Sequence, residues 1–143
     1  TNNDRGIYKS TDGGNTWNEP VRVSVSAPHG PIQLQNNDIL YLGRDKFNPD
    51  YKDNDLRTII SRDQGMDWEE LGKVPIPEEL SKCKFTEPHA VELPSGKIIG
   101  LIRFQTEDGN DINSRYKEFS LFQTESDDGG ITWKKPYPTG VCG

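Results

Sequence analysis

Ser126-Asp127-Asp128-Gly129-Gly130-Ile131-Thr132-Trp133 decides how this chain is read, because its S-x-D-x-G-x-x-W pattern returns twice. The other copies are Ser61-Arg62-Asp63-Gln64-Gly65-Met66-Asp67-Trp68 and Ser10-Thr11-Asp12-Gly13-Gly14-Asn15-Thr16-Trp17, and together the boxes hold every tryptophan of the chain. At ordinary residue frequencies, four fixed positions that include a tryptophan recur by chance about once in 10⁵ sites, so three copies in one short chain mark a repeat array. The spacing has a physical reason. The Asp carboxylate and Ser hydroxyl can bond the backbone of a turn, the Gly supplies a positive φ, and the Trp starts the outgoing strand with a large apolar face. Each box is therefore expected to close a hairpin and to bury its Trp against a neighbouring sheet.

A second repeat lies between the boxes. Ile32-Gln33-Leu34-Gln35-Asn36-Asn37-Asp38-Ile39-Leu40-Tyr41-Leu42-Gly43-Arg44 aligns with Val91-Glu92-Leu93-Pro94-Ser95-Gly96-Lys97-Ile98-Ile99-Gly100-Leu101-Ile102-Arg103, and each unit follows a Pro-His pair, Pro28-His29 or Pro88-His89. Each reads as a short apolar strand, a tight turn at Asn36-Asn37 or Ser95-Gly96, and a buried strand ending in Arg. Two hairpins per repeat make a four-stranded unit, with strands near 29–34, 38–44, 56–61 and 68–74 in one copy and 87–93, 97–103, 117–125 and 133–137 in the next. Such units are propeller blades. The expectation is an all-β propeller segment of about two and a half blades: the outer half of one blade over 1–25, a full blade over 26–77 and another over 84–140. An open array leaves sheet edges and blade faces uncovered, so the partner expected first is the rest of the propeller, from the same chain or from another copy.

Composition agrees with short strands and many turns: the hydrophobic fraction is 31%, with Gly 14 and Pro 10. A net charge of −6 without a basic stripe argues against a nucleic-acid partner. The longest apolar run, Ile98-Ile99-Gly100-Leu101-Ile102, is far short of the roughly 20 residues of a membrane span. Cys83 and Cys142 suit one disulfide or two thiols, and no metal or cofactor motif appears. Asp50, Asp53 and Asp55 form an acidic loop, read as solvated turn carboxylates before calcium ligands.

Strand direction alternates within a blade, so the box turns share one edge, while strand-one starts and strand-two ends share the other. That second edge carries Ala27–Gly30, Phe85–His89, Arg44 and Arg103, and it is where chemistry is expected. The ordered set of box, Pro-His-Gly-x-Ile-x-Leu, box, Glu-x-x-x-x-Glu-Leu, strand with terminal Arg, and box resembles the middle of the sialidases (neuraminidases), six-bladed Asp-box propellers.

The resemblance implies an exo-sialidase parent that removes terminal sialic acid by a retaining mechanism, with a Tyr nucleophile lying outside this chain and a sialylated glycan or other carbohydrate as partner. It also implies an extracellular or periplasmic setting. By position, Glu87 matches the glutamate that pairs with the tyrosine, and Arg103 matches one of three arginines that clamp the sugar carboxylate. Thr86 departs from the family, which has Asn there. Arg44, His29 and His89 are candidate substrate-binding residues that match no clamp position. The competing readings are an ion pair at a strand end for Glu87 and Arg103, and packed or capping roles for the histidines. Arg115 and Tyr116 are read as surface residues. The box residues Ser10, Asp12, Gly14, Trp17, Ser61, Asp63, Gly65, Trp68, Ser126, Asp128, Gly130 and Trp133 are structural. The alternatives to the sialidase are a non-catalytic Asp-box propeller that binds carbohydrate or acts as a scaffold, and a hydrolase of another sugar.

Overall fold

The structure, a computed structural model, describes residues 6–45, 55–106 and 119–142. Its strands form three sheets in chain order. The first pairs β1 (Gly6–Ile7) with β2 (Val21–Arg22). The second contains β3 (Val25–Ser26), β4 (Ile32–Gln33), β5 (Ile39–Asp45), β6 (Leu56–Ser61) and β7 (Glu69–Lys73) in the order β3-β5-β6-β7, with β4 also on β5. After a short 3-10 turn at Glu78–Leu80, the third sheet runs β8 (Lys84–Glu92), β9 (Ile98–Gln105), β10 (Phe119–Ser126) and β11 (Tyr137–Cys142), ordered β11-β10-β9-β8. Every strand pair within these sheets is antiparallel. The architecture is an all-β propeller segment.

Several strand limits differ from those expected. The inner strand of the second blade is broken into β3 and β4 by Ala27–Gly30, and Val25, expected to end an outer strand of the first blade, pairs Asp45 in the second. The last strand begins at Tyr137, four residues past Trp133. Each inner hairpin closes with a three-residue loop rather than a two-residue turn. Leu34 and Leu93 bond Asp38 and Lys97, while Asn37 (φ 71°) and Gly96 (φ 83°) take the left-handed position that such a loop requires.

The three boxes fold alike. In each, the Ser hydroxyl donates to the Asp carboxylate at 2.8 Å and accepts the backbone N–H of the Gly, and the carboxylate accepts the N–H of Thr16, Asp67 or Thr132. Bonds from Thr16 lead the causes that hold Asp12 down at about 2. Asp63 and Asp128 are lowered too, led by the Asp67 N–H and the Thr132 hydroxyl respectively. These carboxylates are committed to turns.

The tryptophans do not fare alike, which corrects the expectation that all three are buried. Trp133 is only 6% exposed and sits with Leu40, Leu42 and Leu56 between the second and third blades. Its indole N–H donates to Gly130 O and Thr58 Oγ1. Trp68 is half-buried against Val23, Val25, Tyr41 and Ile59, between the first and second blades. Trp17 is 61% exposed. Each box thus packs its Trp toward the preceding blade, and among the described residues the first blade has none before it. The opposite end shows the complement. Leu34 and Leu42, covered by the third blade, are buried, whereas their repeat equivalents Leu93 and Leu101 are each 37% exposed.

The second and third blades are held together by more than apolar packing. The Gln35 N–H donates to Glu92, the Gln35 amide donates to Leu93 O, and Lys73 and Thr132 form an isolated parallel bridge. A Cβ on Gly72 would lie 2.2 Å from Ile131 O, so only glycine permits that approach.

Candidate functional site

The site begins with an interruption in a strand. β8 and β9 pair regularly through Thr86↔Arg103, lose register, and resume at His89↔Leu101, so Glu87 and Pro88 oppose Ile102 alone. This is a β-bulge, and Pro88, which has no N–H for the ladder, suits it. Glu87 takes φ 51°, a left-handed conformation that side chains disfavour. The bulge turns its carboxylate toward Arg103, whose Nη1 donates to Glu87 Oε1 at 2.6 Å. The Arg103 guanidinium also lies 5.2 Å from the Phe119 ring centroid.

The magnitudes argue against a structural purpose for this pair. Both side chains are 43% exposed, and an ion pair that wet is worth about 0–1 kcal/mol. The left-handed backbone at a non-glycine residue costs roughly 1–3 kcal/mol. Stability alone does not favour the arrangement, and strain retained at one aimed carboxylate is characteristic of functional sites.

Glu87 and Arg103 share a cleft of about 300 Å³ with Arg44, Thr86, Ser26 and Gln105. The edge predicted to carry chemistry therefore does bring Glu87, Arg103 and Arg44 together. Arg44 lies opposite Ser26 on β3 as Arg103 lies opposite Thr86 on β8, so the two arginines occupy equivalent positions in adjacent blades. The Thr86 hydroxyl, sealed from solvent, has no hydrogen-bond partner among the described residues. His29 and His89 meet edge to face with ring centroids 5.6 Å apart, linking the Ala27–Gly30 loop to β8. Both are exposed and stand beside the cleft rather than in its lining.

Other sequence candidates fall elsewhere. A second concavity of about 320 Å³ lies at the middle box, lined by Asp63, Asp67 and Trp68, but Asp63 is consumed by its turn. Of the acidic loop, Asp50 and Asp53 lie outside the described residues, as do Arg115 and Tyr116. Asp55 is bonded by Arg57 at 3.2 Å and Lys73 at 3.0 Å. Burial pushes its carboxyl up, but those two cations outweigh it and hold it below the usual range. No group of three or more His, Cys, Asp or Glu suited to a metal occurs among the described residues. Cys83 is buried and Cys142 exposed, and they form no disulfide.

Sequence reasoning missed Ser26, Thr86 as a cleft hydroxyl, and Gln105. The repeat could have pointed to the first two, since each stands two residues before a Pro-His histidine's own proline neighbour, at Pro28 and Pro88. Gln105 could have been found by alternation, two residues beyond Arg103 on the same strand face.

Comparison with known proteins bears out the fold. The BNR/Asp-box repeat pattern matches residues 124–135. No curated protein sequence matches the chain. Among solved structures, a protein of unknown function from Dyadobacter fermentans is similar at 23% identity and TM-score 0.71, over 94% of this chain and 38% of that one. An α-L-arabinanase of Penicillium chrysogenum complexed with arabinobiose is similar at 20% identity and TM-score 0.68, over 95% of this chain and 41% of the other. The NanB sialidase of Streptococcus pneumoniae is similar at 21% identity and TM-score 0.64, over 95% of this chain and 19% of that one. The chain spans less than half the length of each. These likenesses establish the fold, a BNR-type β-propeller shared by sialidases and arabinanases.

Proposed function

We propose that this segment of a BNR-type propeller belongs to an exo-sialidase-like glycoside hydrolase and contributes Glu87 and Arg103 to its site. The observation that carries the reading is the bulge at Glu87, which holds a carboxylate in a strained backbone conformation against an arginine at the mouth of a cleft. In this reading the Arg103 guanidinium binds the sugar carboxylate through its planar fork while Nη1 steadies Glu87. The Glu87 carboxylate takes the phenolic proton of a tyrosine from outside this chain, making that oxygen a nucleophile toward the anomeric carbon. The general acid also lies outside the chain. The exposed Leu93 and Leu101 face receives the rest of the propeller, from the same chain or another copy.

Two measurements test the reading. Calorimetric titration with free N-acetylneuraminic acid should show binding that Arg103→Lys weakens without a matching fall in thermal stability, because Lys keeps the charge but loses the fork. The chain alone should not hydrolyse a fluorogenic sialoside. Turnover above the buffer rate that disappears in Glu87→Ala would contradict the claim that the nucleophile lies elsewhere. A second reading, a propeller that binds or cleaves a neutral sugar, is supported by the arabinanase likeness, whose TM-score of 0.68 is above the 0.64 of the sialidase. Preference for arabinobiose over N-acetylneuraminic acid would select it.

A further inference from the structure

We propose that His29 and His89 form a two-imidazole site for zinc, which ties the second and third blades together beside the cleft. The inference is independent of the sugar reading. The chain contains only these two histidines, and each follows a proline at the same place in the repeat. Folding brings them from separate blades to ring centroids 5.6 Å apart, with the planes inclined by 61°. That separation suits a shared metal. Zinc–nitrogen bonds are about 2.0–2.1 Å, and adding the half-width of a ring on each side puts two imidazoles of one tetrahedral zinc about 5–6 Å apart between centres. Both rings are exposed, so they can turn about χ2, a broad torsion, until one nitrogen of each faces the metal. Neither has a hydrogen-bond partner among the described residues, so ligation gives up no bond to the protein.

The backbones do not share the freedom of the rings. His29 lies in the turn that Gly30 N–H closes on Ala27 O at 3.4 Å, and His89 is the residue at which β8 resumes its ladder after the bulge, opposite Leu101. Trp133 packed with Leu42, and the bond from Gln35 to Glu92, hold the two blades in register. The fold therefore presents both ligands together, and once one imidazole has bound the metal the second binds it intramolecularly. The donor set selects the metal. Imidazole suits zinc, copper and nickel, whereas magnesium and calcium take oxygen ligands. The net charge of −6 draws cations of every kind toward the chain, so selectivity has to come from the histidines. No third His, Cys, Asp or Glu completes a metal group among the described residues, so water fills the remaining positions.

The chain is titrated calorimetrically with zinc chloride in a non-coordinating buffer, alongside His29→Ala, His89→Ala, the double variant and Cys142→Ser, with magnesium chloride as the oxygen-seeking control. Thermal unfolding of each variant without metal serves as the folding control, and these exposed substitutions should be tolerated. Wild type should bind a single zinc, and zinc should raise its melting temperature, since a ligand of the folded state stabilises that state. Each histidine variant should lose about 10-fold or more in affinity, because either loss reduces the chelate to one contact. The double variant should bind little more weakly than either single variant, which is the mark of a shared site. Cys142→Ser should bind as wild type does, which sets aside the exposed thiol. Zinc affinity that survives both single substitutions, magnesium bound as tightly as zinc, or no zinc binding by wild type would overturn the proposal. Losses that add in the double variant would mean two separate histidine sites and would overturn it equally.

Discussion

Replacing Trp133 by Ala asks whether the boxes work as anchors between blades or merely as turns. The indole is 6% exposed, packs with Leu40, Leu42 and Leu56 of the preceding blade, and donates its N–H to Gly130 O at 3.0 Å and Thr58 Oγ1 at 3.3 Å. The Thr58 hydroxyl also donates to Gly130 O at 2.8 Å, so a hydrogen-bonded contact spans the interface behind the ring. Truncation removes the ring's burial and leaves a cavity between stiff strands, which costs roughly 3–5 kcal/mol. Trp17→Ala removes the same side chain from the same turn, but that indole is 61% exposed. Its loss should stay within about 0.5 kcal/mol, as for surface substitutions generally. Trp68, half-buried, should lie between. Urea unfolding of the three variants followed by far-ultraviolet circular dichroism gives the comparison directly. Equal destabilisation at all three boxes would mean that the tryptophan acts within its own hairpin, and the blade-anchor reasoning would be wrong.

Gly72→Ala drives a Cβ to 2.2 Å from Ile131 O, a backbone atom of the next blade, and should destabilise by roughly 1–3 kcal/mol in the same urea assay. Glu87→Gly relieves the φ 51° backbone while losing a half-exposed ion pair, so its melting temperature should not fall, although sialoside hydrolysis by the complete propeller should be lost. The box carboxylates have folded-state values below their ordinary 3.8, with Asp12 at about 2, and Glu125 is likewise held at about 2, led by its bond from Lys134. Depressed acids favour the folded state fully above the unfolded value and lose that contribution as pH falls through the folded one. Melting temperature should therefore drop from pH 4.5, the ordinary value of Glu125, through 3.8, that of the box aspartates, down to about 2, and Asp128→Asn should flatten part of that drop.

Much of the fold was legible because the boxes and the Pro-His units repeat, and a repeat reports supersecondary structure more reliably than local propensity does. What stayed hidden depends on neighbours in space. Three identical boxes gave no sign that Trp17 and Trp133 differ, because burial is set by the preceding blade rather than by the motif. The break between β3 and β4 follows from Ala27–Gly30, where Gly30 takes φ 73°, and a hydrophobicity pattern does not register it. At the site, Glu87 and Arg103 were found by position and do meet. The bulge that joins them was not foreseen, although Glu-Pro within a strand carries its signature. Arg44 was singled out without a mapped role, and only the register of two blades places it in the cleft with Arg103.

The central claim is that an acidic sugar binds at the edge opposite the boxes. The most direct test is an amide-resolved NMR titration of the chain with N-acetylneuraminic acid. Shift changes should concentrate at Ser26, Arg44, Thr86, Glu87 and Arg103, with the box glycines Gly14, Gly65 and Gly130 unmoved. Changes confined to the groove of Asp63, Asp67 and Trp68, or a response to arabinobiose with none to the acid, would contradict the account.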